Sequence, residues 1–137
     1  MKKVTTSDNY LFPAVVEKGE KGFGVYFVDL PGCIATGTSL QGVIEEAKGA
    51  LALHLWGLEQ DGQAIPKATP LDKVQVGPHE TLCLLEINMF PIRAAMNNRP
   101  VKKTLTIPWY LNELAEEKRV NFSQLLQNAL KEKLQVI

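Results

Sequence analysis

The chain has 137 residues, 45% hydrophobic and 22% charged, so it can bury a core and is no disordered tail. Fifteen Lys/Arg balance fifteen Asp/Glu, which excludes a uniformly cationic coat for nucleic acid. MKKVTTSDNY lacks the apolar core of a signal peptide, and no run nears the roughly 18 apolar residues of a membrane helix; a cytoplasmic protein without membrane contact is expected.

Residues 10–17, YLFPAVVE, read as a strand, with Pro13 pushing it toward a sheet edge. KGEKG turns the chain, with Gly19 and Gly22 free to take positive φ, into a second strand at 23–29, and the pair forms a β-hairpin. LPGC turns again, and CIATG adds a short third strand. Ser39 stands at the N-cap of a long helix whose buried face is Leu40, Val43, Ile44, Ala47, Leu51, Leu55 and Leu58. Leu53 and Trp56 fall beside that face, and EQDGQ ends the helix. After a Pro-bounded loop, TLCLLEINMF at 81–90 is a long apolar strand. The expected architecture is α+β, a small antiparallel sheet of three or four strands with one packed helix.

RAAMNNRP, residues 93–100, shows no strong periodicity and ends in a helix-breaking proline. It divides the chain into residues 1–92, a connection at 93–100, and residues 101–137. Residues 1–98 hold eight Lys/Arg against eleven Asp/Glu, whereas 99–137 hold seven against four. That sign change suggests different partners for the two parts.

Catalytic chemistry finds little footing in the first part. His54 lies in the helix and His79 in a Gly-Pro loop, neither at triad or metal spacing from a partner. Cys33 and Cys83 form no CxxC pair and no Cys/His cluster, so neither a disulfide framework nor a zinc site is expected. Asp29 ends a strand, and the adjacent Glu45 and Glu46 diverge from the helix, so they cannot converge on a metal as a nuclease requires. GEKGFG joins two strands instead of opening a helix, which excludes a phosphate-cradling loop. The expectation is a protein that is not an enzyme, with no catalytic residue, metal or cofactor.

The last part is patterned differently. In VKKTLTI, residues 101–107, Leu105 and Ile107 share one face of a short strand, and Lys102, Thr104 and Thr106 share the other. Pro108 suits the first turn of a helix made amphipathic by Leu111, Leu114 and Ala115. Val120-Asn121 breaks the pattern, and Asn121 with Gln124 has the shape of a capping pair. Phe122, Leu125, Leu126, Ala129, Leu130 and Leu134 line a second helix. A segment below ~40 residues rarely sustains its own core. Pairing residues 101–107 with the same strand of a second chain, around a two-fold axis, supplies both the missing strand and the missing core.

PAVVEKGEKGFGVYFVDLPGCIATG (13–37), SLQGVIEEAKGALALHLWGLEQDG and AIPKATPL together resemble the HicB antitoxin family, densely over residues 10–71. Gly42 departs from that pattern, since relatives carry a better helix former in the first turn. The resemblance implies a degenerate ribonuclease H-like domain without catalysis, which binds a HicA-type toxin, a small basic ribonuclease. The last part resembles a ribbon-helix-helix DNA-binding domain. By that resemblance Lys102, Thr104 and Thr106 contact base edges, Asn121, Phe122 and Ser123 hold a phosphate, and Leu105 and Ile107 form the core of the dimer ribbon. Operator DNA is then a partner, and the assembly is a homodimer or a pair of such dimers. The antitoxin reading competes with a stand-alone ribbon-helix-helix regulator whose first domain binds something else. A metal-dependent nuclease ranks third, because the converging carboxylates are missing.

Overall fold

A computed structural model describes residues 8–136, so most of the MKKVTTSDNY opening lies outside the described residues. The chain divides into two compact units between Arg99 and Pro100. In the first unit, strands β1 (Asn9–Lys18), β2 (Phe23–Phe27), β3 (Ile34–Gly37) and β4 (Glu80–Asn88) form one antiparallel sheet in the order β3-β2-β1-β4. Helix α1 (Leu40–Gln60) covers one face, and α2 (Met89–Met96) follows β4. The α+β class is the one the patterning implied.

Strand alternation builds the core. Phe12, Ala14 and Val16 of β1 share a face with Val25 and Phe27 of β2 and Leu85 of β4, and all are buried against Val43, Ala47, Leu51 and Leu55 of α1. The opposite face of β1 is covered too, since Pro13 and Val15 are fully buried. Tyr26 on β2 donates its hydroxyl to Glu80 on β4 at 2.9 Å, so its side chain crosses the intervening β1 on that face, where Val15 is its register partner. The hydrogen bond to the Glu80 carboxylate also raises the Tyr26 pKa, because it favours the neutral phenol.

Pro13 does not make β1 an edge strand; β1 lies between β2 and β4. The reason is local. Lys18 N–H donates to His79 O, so the even-numbered residues of β1 bond toward β4 and the odd-numbered ones toward β2. The N–H that Pro13 lacks would point toward β2, whose ladder with β1 stops at Ala14 opposite Phe27. The proline therefore removes no ladder bond.

The turns follow their residues. Strand β2 ends at Phe27 instead of Asp29 because Leu30-Pro31-Gly32-Cys33 forms a tight turn, with Cys33 N–H donating to Leu30 O at 3.1 Å and Gly32 at φ 86°. Gly22 takes φ 154°, and a side chain there would collide with the Gly37 carbonyl; Gly19 keeps an ordinary φ. Ser39 caps α1, its Oγ accepting from Gly42 N–H at 3.0 Å. A Cβ on Gly42 would sit 2.8 Å from that Oγ, so a glycine leaves the cap its room. Gly62 at φ 68° closes the other end, with Gln63 N–H reaching back to Leu58 O.

The 81–90 strand and the 93–100 connection both give way to α2. Asn88 accepts from Phe90 N–H at 3.0 Å, and Pro91 falls in the first turn, where its missing N–H costs nothing. Arg93 of α2 donates twice to Glu59 of α1, at 2.9 and 2.7 Å, and once to Asp8 at 2.6 Å. The Glu59 hydrogen bonds raise the Arg93 pKa further, so the guanidinium stays charged. Among the described residues no helix is long and apolar enough to cross a membrane.

Candidate functional site

The second unit contains α3 (Trp109–Glu117) and α4 (Phe122–Leu134). Pro108 sits one position earlier than expected, as the cap residue, and its carbonyl accepts from Leu111 and Asn112 N–H, each at 3.2 Å. Arg119 at φ 54° ends α3, with Val120 N–H donating to Ala115 O and Arg119 N–H to Glu116 O. Asn121 then caps α4, its Oδ1 accepting from Gln124 N–H at 3.0 Å. The return half of the capping pair is absent: the Gln124 amide points forward to Asn128. Ser123 Oγ accepts from Gln127.

The cap leaves the start of α4 open. Asn121 takes up the third helical N–H, and among the described residues no hydrogen bond is made by the N–H groups of Phe122 and Ser123. Two converging free amides at a helix N-terminus suit an anion. Replacing Asn121 with Ala is expected to cost about 1 kcal/mol of helix stability. Thermal unfolding of the full chain, with Asn121→Ser as a restoring control, would measure that loss.

Residues 101–107, expected as a strand, pair with no other strand among the described residues. A lone segment of this kind has nothing to bond to, so no ladder forms. Lys102, Thr104 and Thr106 are exposed, and so are Leu105 at 60% and Ile107 at 41%. No residue of α3 or α4 is buried. Trp109, Leu111, Leu114, Phe122, Leu125 and Leu130 all remain exposed, so the amphipathic faces have no core of their own.

In the first unit the acids and cysteines singled out from the sequence do not gather into one site among the described residues. Thr69 occupies both oxygens of Asp29, through its N–H at 2.9 Å and its hydroxyl, so Asp29 anchors a loop. Among the described residues no three His, Cys, Asp or Glu side chains gather as a metal ion would require. Cys33 is buried, which pushes its thiol pKa up to about 11, and burial raises that of Cys83 also.

Sequence reasoning did miss a groove. Between β3, α1 and α2 lies an open depression of about 790 Å³ whose lining includes Ile34, Glu45, Glu46, Leu53 and Met96. Leu53 is 57% exposed within it. The two acids, read from sequence as surface charges, stand at the side of an apolar surface. Leu53, lying beside the buried face of α1, was the available signal.

The fold defines a small α+β protein, a four-stranded antiparallel sheet covered by α1 and followed by a second, helical unit. Residues 12–129 match the profile of the family described as HicB-like antitoxin of bacterial toxin-antitoxin system. The chain belongs to the HicB-like antitoxin family, a family of antitoxins and not of enzymes. Its fold is similar to that of a toxin-antitoxin complex chain from Streptococcus pneumoniae, at 18% identity and TM-score 0.59, covering 91% of this chain and 99% of that one. It is also similar to the Burkholderia pseudomallei antitoxin HicB, at 19% identity and TM-score 0.53, covering 91% and 98%. An uncharacterised 14.9 kDa protein of Haemophilus phage HP1 is 33% identical over 63 residues, which is 46% of this chain and 47% of the phage protein.

Proposed function

We propose that this antitoxin acts in the cytoplasm, neutralising a HicA-type ribonuclease by direct binding through its first unit and repressing its own operon through its second. The carrying observation is that no described residue of the second unit is buried and that the 101–107 segment beside its helices pairs with no described strand. A second copy of the chain answers both needs. Two 101–107 strands side by side form an antiparallel ribbon, Leu105 and Ile107 turn into a shared core, and the exposed helix faces close over it. Lys102, Thr104 and Thr106 then project from the outer face of the ribbon toward base edges in a major groove. The free amides of Phe122 and Ser123, next to the Asn121 cap, hold a backbone phosphate and fix the register. The unit that ends at Arg99 and the unit that begins at Pro100 carry these two tasks.

Toxin neutralisation is supported by family membership and by the acidic, apolar groove, whose chemistry suits a basic protein. A tagged purification from native cells, with co-eluting proteins weighed intact, tests the reading. A small basic protein in stoichiometric amount is the expected result. A homodimer without partner, from cells that express any adjacent small reading frame, would favour a stand-alone regulator.

A further inference from the structure

Gly49 stands in the middle of α1, and nothing in the chain's own packing accounts for it. Apart from proline, glycine is the poorest helix former. Gly42, nearer the start of the helix, has its reason in the Ser39 cap. Gly49 takes no positive φ, and a Cβ built on it would meet no atom within 4 Å. What sets it apart is its place in the lining of the depression between β3, α1 and α2. Glu45 and Glu46 stand one turn before it, and the exposed Leu53 one turn beyond. The lining holds those two carboxylates and no Lys, Arg or His. Neither carboxylate has an ion-pair partner among the described residues.

We infer that Gly49 is a notch through which a cationic element of the toxin reaches the backbone of α1, with its charge on Glu45 and Glu46 and its apolar part on Leu53. The inference rests on the reading of this chain as the antitoxin of a basic ribonuclease, and it assigns that protein's point of contact. Charge selects the occupant. A second copy laid on the same face around a two-fold axis would set unpaired carboxylates against carboxylates. A nucleic acid would bring phosphates to them. Both are repelled, whereas a cationic protein surface is attracted, and Leu53 with Met96 offers it apolar contact as well. The missing side chain has a separate part to play. Glycine lets another backbone or helix come close, so the approaching element seats against α1 itself. A larger residue at this position would hold that element away from both acids and from Leu53.

The probe is the product of the small reading frame adjacent to this chain's own, titrated as purified protein onto the purified full chain. Gly49→Leu fills the notch, and Gly57→Leu makes the same change about two turns on. Gly57 likewise has nothing within 4 Å of an added Cβ, but it lies outside the lining. Both variants gain a better helix former, so neither should lower the thermal midpoint. Gly49→Leu is expected to weaken binding about tenfold and Gly57→Leu less than about twofold. Equal affinities for the two variants overturn the inference. Salt isolates the contribution of charge. Glu45→Gln/Glu46→Gln should bind several-fold more weakly than the wild-type chain at low salt and depend less on salt. A salt dependence equal to that of the wild-type chain also overturns the inference. If the wild-type chain binds none of the probe, the antitoxin reading itself falls and takes the inference with it.

Discussion

Replacing Phe12 with alanine is expected to destabilise the first unit by about 3–5 kcal/mol. Phe12 is 2% exposed, faces α1 from the central strand β1, lies opposite Leu85 and stacks on Tyr10 with ring centroids 6.2 Å apart. Its removal forfeits the transfer free energy of the ring and leaves a cavity, because the strands on either side hold the backbone in place. Domains of this size are stable by only about 5–15 kcal/mol, so the loss consumes much of the total. Chemical denaturation of the full chain should show a fall in midpoint with little change in slope. A loss below ~1 kcal/mol would mean that the core collapses into the gap. Phe12→Leu, which refills most of the volume, should recover most of the stability.

On the proposed reading of the second unit as an operator-binding ribbon, Lys102→Ala is expected to weaken that binding by about 1–3 kcal/mol, a roughly 5- to 150-fold loss in affinity, if the side chain contacts a base. Titrating the DNA upstream of the chain's own operon against a random duplex at fixed salt would measure it. Loss on the operator alone marks a base contact. Equal loss on both sequences, with a shallower salt dependence, would demote Lys102 to a phosphate contact. A two-fold protein should also prefer an inverted repeat, so each variant acts twice per site.

Much of this was legible in the sequence, because several elements carry their own period. The alternation of Phe23, Val25 and Phe27 and most of the seven-residue apolar face of α1 report burial from spacing alone, although Leu40, in the first turn, stays 54% exposed. The ridges of α3 and α4 report apolar faces that the single chain leaves exposed. The caps at Ser39 and Asn121 are equally local, since a side-chain oxygen reaches an N–H three residues on. Helix α2 escaped because eight residues are too few to display a period and Pro91 reads as a breaker. Asn88 ahead of Pro91 was the available signal.

By itself, then, the sequence determined β1 to β4, α1, α3 and α4, most of the buried face of α1, and a last segment too short to bury its own apolar ridge. Each of these depends on residues within a few positions of one another. The tertiary structure alone decided strand order, and with it the central place of β1. That order also set the Arg93–Glu59 pair, 34 residues apart, and the Tyr26–Glu80 bond, 54 apart. The acidic groove has the same origin. These features arise where distant segments meet, and no local period encodes which strand is neighbour to which. Pro13 illustrates the limit: its tolerance inside the sheet turns on β2 ending at Phe27, a fact of pairing that its own flanking residues do not carry.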